Sequence, residues 1–517
     1  MKMVNYAERV AKGTLLVFFM LFISGIIGYL LRIYMARTLS LDDYGLFYSA
    51  FIFITFPMFF RDLGLNSALP KFIPEFMVRK KFADIRASFS FAIKVETVVS
   101  IAAVVILFLM RGSIASAFFK NPAAAALIPP LLVFFMAHLF LQVFKSVFQG
   151  YQDMMLFAVS EMVYILMIFF SIFIIFSTII PSPENASWGY AAGTSIASAF
   201  ALFFVWKKFS ALPAASGSVD NGLEKRLLTF SLPVMLTGTA SLILGYTDTL
   251  CLTFFRPIDE VGLYQVALPT SQIMVYLSSA LIAILFPVIA EMWARKKYSS
   301  VSGGTIILTK FMFIAVLPVG MIFLAFPEIV LNMLFGPRYI GASPFLQILS
   351  VSFIFSTLGM ILTTVINGIG KPVLNTKIIT AAATINFLLN LALVPQYGAI
   401  GSASATLFSY ALYFSLSKYL LSRELGTRGI SMRIPRKPIV KIFIGSLIAL
   451  FIILLMKNFL SLDPVLEMVL IFPPAFAFYL VWLVYSKCLD REDLKMIDKA
   501  NITIPKPLRM FLEKSVR

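Results

Sequence analysis

Residues 42–47 read Asp-Asp-Tyr-Gly-Leu-Phe, and residues 259–264 read Asp-Glu-Val-Gly-Leu-Tyr, an offset of 217 positions. Three further matches keep an offset of 216–218 positions: residues 72–75 with 288–291, Lys94 with Lys310, and residues 147–150 with 365–368. Matches at a nearly constant offset, spread over about 100 residues, indicate an internal repeat rather than chance. The first half of the chain is therefore predicted to recur in the second half.

The composition is that of an integral membrane protein. Of the 517 residues, 60% are hydrophobic and 13% are charged, and the mean hydropathy is +0.92. Soluble chains have about 45–50% apolar and about 25% charged residues, so this chain cannot cover a soluble surface. Two cysteines and one histidine exclude a disulfide framework and multi-histidine metal centres. The net charge of +18 does not indicate nucleic acid, because basic residues collect in cytoplasmic loops.

Apolar runs of about 20 residues, the length that a helix needs to cross a bilayer, predict fourteen spans. They lie near 13–35, 44–60, 88–110, 125–148, 155–180, 187–206, 228–254, 262–286, 305–327, 345–367, 375–395, 399–421, 440–460 and 465–487. With the amino terminus inside, 34 Lys and Arg fall on the inner side, 6 on the outer side and 3 within spans. This bias predicts that both termini are cytoplasmic and that the protein is a multi-pass protein of the plasma membrane.

The fold class predicted is an all-α membrane protein of two pseudo-symmetric six-helix lobes plus two extra C-terminal helices. Six helices is an even number, so both copies start inside and the repeat is parallel, about an axis along the membrane normal. The predicted boundaries are an N-lobe at 1–209, a cytoplasmic loop at 210–226, a C-lobe at 227–422, a second cytoplasmic loop at 423–439, helices 13 and 14 at 440–487, and a cytoplasmic tail at 488–517.

Several short blocks carry a family resemblance, and their order and spacing are more specific than any one of them. They are residues 62–65 followed by Pro74-Glu75, residues 230–233, 246–248 and 260–264, and Asn386 and Asn390 running into Pro395, Gly398 and Gly401. With these blocks the chain resembles the MOP exporter superfamily, whose fold is MATE-like. Within it, the chain most resembles the polysaccharide transporters, the Wzx-type flippases of lipid-linked oligosaccharides, over about residues 8–487.

This resemblance implies a two-lobe transporter, not an enzyme, that alternates between inward-open and outward-open states. Its implied substrate is a polyprenyl-pyrophosphate-linked oligosaccharide, carried from the cytoplasmic to the outer leaflet for cell-surface polysaccharide or glycan synthesis. Its implied partners are that substrate, membrane lipids and the glycan-synthesis machinery, without nucleic acid. The alternatives are a lipid II flippase, a drug–cation antiporter and, less favoured, a membrane glycosyltransferase or polymerase. No Walker A sequence or other nucleotide motif appears, which disfavours an ATP-driven pump. No cofactor is predicted, and the coupling ion, H⁺ or Na⁺, stays open.

A substrate cleft is predicted from mirrored polar positions in the two copies. Tyr48 and Thr55 are seven residues apart on one helical face, and the repeat places Gln265 and Gln272 at the matching positions. Tyr276 extends the second stripe. Hydroxyl and amide groups suit a sugar-lined cleft, whereas the alternative is hydrogen bonding between helices.

Charged residues within spans are the other candidates, because each is costly in hydrocarbon. Arg32 and Asp248 are also assigned to the predicted substrate cleft, and they fall at nearly equivalent positions of the repeat, which suggests an outer gate. Arg32 could instead bind a phosphate or snorkel to the outer headgroups, with Asp248 in a local polar network.

Two further sets complete the candidates. His138 and Lys145 lie on one face of the fourth predicted span. The acid Glu161 lies on the fifth span, roughly level with Lys145. The two interpretations are a Lys145–Glu161 packing pair and an ion-coupling site at Glu161 or His138. Lys94 and Lys310 lie near the cytoplasmic ends of their helices, where each is expected either to snorkel or to contact phosphate at the inner mouth.

Overall fold

The computed structural model describes residues 2–213, 219–430, 436–459, 464–486 and 488, and these residues form helices without a strand. The predicted tail beyond residue 488 lies outside the described residues. The helices are α1 Lys2–Thr38, α2 Leu41–Arg61, α3 Leu65–Val78, α4 Phe82–Leu109, α5 Arg111–Ala117, α6 Ala124–Gly150, α7 Met154–Thr178, α8 Pro183–Ser210, α9 Leu223–Phe255, α10 Ile258–Ser271, α11 Ile273–Ala294, α12 Tyr298–Ala325, α13 Pro327–Phe335, α14 Ser343–Gly368, α15 Pro372–Gly426, α16 Arg436–Phe459 and α17 Pro464–Tyr485.

Eleven helices of the described chain are long and apolar enough to cross a membrane, or twelve if the bent pair Leu223–Met235 and Gly238–Phe255 is one span. The chain is therefore an all-helical, multi-pass membrane protein. Two of the predicted spans, 375–395 and 399–421, lie in α15, where Gly398, with φ 56° and ψ −135°, separates two helical segments. A third, 262–286, is divided between α10 and α11. The count of fourteen, the lobe boundaries and the two-lobe repeat stay predictions.

The chain divides into two compact units, Met1–Gln265 and Val266–Arg517. In the first unit, α9 packs against α2, α3 and α4, and α8 packs against α6 and α7. In the second unit, α14 is central, in contact with α11, α12 and α15. There α16 and α17 pack on each other, and α16 packs on α12.

A break between α2 and α3 positions several polar groups of the first unit. Leu63 and Gly64 have positive φ angles, 47° and 77°, which end α2 and begin α3. Asp62 holds the break, because its Oδ1 accepts from the Gly64 N–H at 2.8 Å. A Cβ at Gly64 would lie 2.2 Å from the carbonyl oxygen of Ser231 in α9, so only glycine fits both the turn and the contact.

The glycines of the two similar stretches, Gly45 and Gly262, meet where α2 and α10 begin. A Cβ at Gly45 would lie 2.2 Å from the Ile258 oxygen and 2.9 Å from the Gly262 nitrogen. A Cβ at Gly262 would lie 2.6 Å from the Leu41 oxygen. The two helices therefore touch backbone to backbone at this point.

Candidate functional site

Arg32 is enclosed by tyrosine rings within the first unit. Its guanidinium carbon lies 4.3 Å from the ring centroid of Tyr48, and the rings of Tyr44 and Tyr48 are 4.7 Å apart. Tyr190 of α8 packs on Phe47 and Phe51 of α2, with ring centroids 5.2 and 5.0 Å apart. Arginine is well suited to stacking on aromatic faces, where the ring quadrupole attracts the cation. The Nη1 atom of Arg32 is buried and has no hydrogen-bond partner among the described residues, so this cage can take an anionic oxygen.

Asp248 lies in a different polar contact. It is 3% exposed, and the Tyr264 hydroxyl donates to its Oδ2 at 2.6 Å. Two residues earlier on α9, Tyr246 is partly buried, and the hydroxyl of the predicted cleft residue Thr55 donates to the Ile52 carbonyl at 3.1 Å. The structure thus gives Arg32 and Asp248 different principal neighbours, and the gate between them stays a prediction.

The glutamines of the predicted cleft have unlike surroundings. Gln265 is 2% exposed, and its amide donates to the Thr249 hydroxyl at 2.6 Å, the helix-to-helix contact that was the alternative to a cleft role. Gln272 is partly buried, at the junction between α10 and α11, and Tyr276 is half exposed. That these residues share one cavity with Tyr48 and Thr55 stays a prediction.

A second polar cluster lies on α6 and its neighbours. Lys145 forms an ion pair with Glu161, with side chains 8% and 31% exposed, as the packing interpretation predicts. The Arg61 Nη2 atom lies 3.2 Å from Nδ1 of His138, and the Gln142 amide lies 3.0 Å from Nε2. Because arginine can only donate, Nδ1 accepts, Nε2 carries the hydrogen, and Gln142 must turn its amide oxygen toward the ring. If His138 were doubly protonated, its Nδ1–H would point at the N–H of Arg61 and this hydrogen bond would be lost.

Sequence reasoning missed the acidic part of this cluster. Glu96 is fully buried in α4, and the Asn66 amide lies 3.5 Å from its Oε2 and 3.2 Å from Oδ2 of Asp62. Ser146 of α6 donates to the other side of Asn66 at 3.1 Å. Glu96 is the single acid of the predicted span 88–110, which is the signal that could have found it.

The two predicted phosphate-contacting lysines differ in exposure. Lys94 is exposed on α4, whereas Lys310 is 3% exposed within α12. Only Lys94 therefore presents its ammonium group at the surface of the described chain.

Basic residues also line a cavity of about 560 Å³ between α3 and α9. Its lining includes Lys71, Lys225 and Arg226, with Glu75 as the acid. The Nη2 atom of Arg226 donates to both Glu75 oxygens at 2.7 Å each. These hydrogen bonds hold the pKa of Glu75 below its ordinary value.

Comparisons with known proteins agree with this architecture. The family model described as polysaccharide biosynthesis protein matches residues 10–293, more than half of the chain. An uncharacterized membrane protein of Methanocaldococcus jannaschii is 28% identical over 433 residues, 81% of this chain and 85% of that protein. The probable low-salt glycan biosynthesis flippase Agl15 of Haloferax volcanii is 23% identical over 202 residues, 38% of this chain and 42% of that protein.

A solved structure has the same fold. The lipid II flippase MurJ, in an inward closed conformation, superposes with a TM-score of 0.71 at 16% identity, over 90% of this chain and 98% of that chain. At this identity the likeness shows the fold alone.

Proposed function

Because the chain belongs to the polysaccharide biosynthesis protein family, we propose that it is a flippase for lipid-linked oligosaccharide. It moves a polyprenyl-pyrophosphate-linked sugar chain from the cytoplasmic to the outer leaflet by alternating access. A Haloferax relative is named a probable glycan biosynthesis flippase, which supports a flippase function for this chain.

The tyrosine-enclosed Arg32 is the observation that carries the choice of an anionic substrate. A buried guanidinium with an unpartnered N–H matches the oxygens of a pyrophosphate, because its planar fork favours that geometry. The surrounding phenol rings offer hydroxyl groups and stacking faces to sugars. A cationic drug would be repelled by this cage, which disfavours the drug–cation antiporter.

A lipid II flippase is the second candidate, favoured by the MurJ-like fold. Lipid II is also a pyrophosphate-linked lipid, so Arg32 would serve both substrates. The two differ in the sugar, which the test below varies.

The test is flipping by the purified chain in proteoliposomes that carry fluorescent polyprenyl-pyrophosphate oligosaccharide or lipid II. Arg32→Gln should lower the oligosaccharide rate at least tenfold, while Arg111→Gln should not. Arg111 is a matched control, because its guanidinium lies 4.2 Å from the Phe108 ring at an exposed position. A folded Arg32→Gln variant with the wild-type rate would refute the anionic site, and flipping of lipid II alone would replace the first substrate by the second.

A further inference from the structure

The buried carboxyl group of Glu96 is explained neither by substrate binding nor by packing. Glu96 lies midway along α4, and its side chain is fully buried. Its Oε1 atom has no hydrogen-bond partner in the described part of the chain. An ionised carboxylate is costly in such surroundings unless it is paired, so a buried carboxyl group normally takes up a neutralising charge.

The neighbouring groups leave one negative charge uncompensated. Asp62 shares the Asn66 amide with Glu96, and Arg61 is the cation that acts on both acids. Of the other charged groups near α6, Lys145 is paired with Glu161, and His138 is neutral as it accepts from Arg61. Lys94, two positions from Glu96, points to another face of α4.

The break between α2 and α3 adds to this imbalance. Asp62 follows the last residue of α2, where the unpaired carbonyls form the negative end of the helix dipole. A second carboxylate beside it is therefore disfavoured, and two acids that share a site do not both ionise readily. One of the two, Glu96, is the more deeply buried and has the unpartnered oxygen.

The neutralising ligand that fits is a proton. Hard metal cations take several oxygen ligands at one point, whereas Glu96 offers one unpartnered oxygen. A proton needs only one carboxylate oxygen, and Oε1 of Glu96 is available to it. We propose that Glu96, together with Asp62, is the proton-binding site that couples proton movement to transport, an inference that rests on the flippase function proposed above.

In each cycle, Glu96 takes a proton from one aqueous side and releases it to the other side after the conformational change. Export against a gradient requires that the proton moves inward as the substrate moves outward. The neutral carboxyl group stabilises the closed packing of α4 on α2 and α3, and loss of the proton leaves a charge that favours hydration of the cluster.

Proton binding can be measured without transport, by infrared difference spectra of the purified full chain in lipid nanodiscs. A carboxyl band that titrates with pH should disappear in Glu96→Gln and persist in Glu291→Gln, a control at a 63% exposed side chain. Asp62→Asn should move the titration of this band to lower pH, because it removes the neighbouring negative charge. Glu96→Asp keeps a carboxyl group and should keep the band. Persistence of the band in Glu96→Gln would overturn the assignment.

Coupling is tested in proteoliposomes with the outer compartment acidic. For one proton per substrate, each pH unit should shift the distribution of lipid-linked oligosaccharide between the leaflets about tenfold. In Glu96→Gln the distribution should no longer depend on the pH gradient, whereas Glu291→Gln should keep the wild-type dependence. A wild-type response in Glu96→Gln, or replacement of the pH gradient by a sodium gradient, would overturn the proposal. If the wild type flips no lipid-linked sugar while the infrared result holds, the proposed function fails and the proton site stands.

Discussion

Gly64→Ala should be strongly destabilising, because two separate costs meet at this position. The φ angle of 77° costs an alanine about 1–2 kcal/mol, since L residues avoid the left-handed region. In addition, the new Cβ would lie 2.2 Å from the Ser231 carbonyl oxygen, more than 1 Å closer than carbon and oxygen normally approach. Because the obstacle is backbone, α9 must shift, and overpacking of this kind costs about 1–3 kcal/mol.

The chain provides a matched control for the first cost. Gly370 has a φ of 79°, and a Cβ there would meet no atom within 4 Å. Gly370→Ala should therefore lower the free energy of unfolding by only about 1–2 kcal/mol. Gly64→Ala should lower it by about 2–5 kcal/mol, the sum of both costs.

The measurement is reversible unfolding of the purified variants in mixed micelles, followed by circular dichroism. The difference between the two variants isolates the contact between the α2–α3 break and α9. Equal destabilisation of Gly64→Ala and Gly370→Ala would refute the reasoning, because it would mean that Ser231 does not lie against Gly64.

The remaining predictions concern charges and topology. The pKa of Glu75 is depressed in the folded state, so its stabilising pair with Arg226 is complete above about pH 4.5 and is lost as the pH falls through the folded pKa. Both side chains are partly exposed, so the loss should be under about 1 kcal/mol, and it should be smaller in Arg226→Gln, where Arg79 still pairs with Glu75 at 3.1 Å, measured by unfolding at pH 3 to 7. Glu161→Gln should cost up to about 3 kcal/mol of unfolding free energy, and adding Lys145→Met should recover most of it; no recovery would argue against a buried pair. Ser113→Cys should react with an impermeant thiol reagent on intact cells above the background of the two buried native cysteines, and no labelling would contradict an outer α4–α6 connection.

Composition and spacing were sufficient for the membrane class and the family resemblance, both of which are confirmed. Apolar content and the order of short blocks are properties of the chain itself, so no knowledge of packing is needed to read them. Which side chains contact each other was harder to predict from the sequence. Arg32 and Tyr48 were both placed at the cleft, but their stacking depends on how α1 and α2 rotate against each other. Likewise, Gln265 of α10 donates to Thr249 of α9, and the periodicity of the sequence does not determine which residues of two helices lie opposite each other.

Two other outcomes have physical reasons. The two predicted spans in α15 lie on either side of Gly398, whose non-helical φ and ψ angles make a kink where a loop was expected. Glu96 was missed because the topology argument counts only lysines and arginines, whereas the chemistry of a buried carboxyl group depends on its neighbours across α2 and α3.

The contact between Gly45 and Gly262 joins the two stretches whose likeness first indicated a repeat. Each glycine is the surface against which the other rests, so a methyl group at either one collides with the opposite backbone. In the predicted repeat, most paired positions can change independently, but these two cannot, because neither position can make room for a larger residue at the other. Substitution at one glycine should therefore not be rescued by any side chain at the other, and the pair limits how far the sequences of the two stretches can differ.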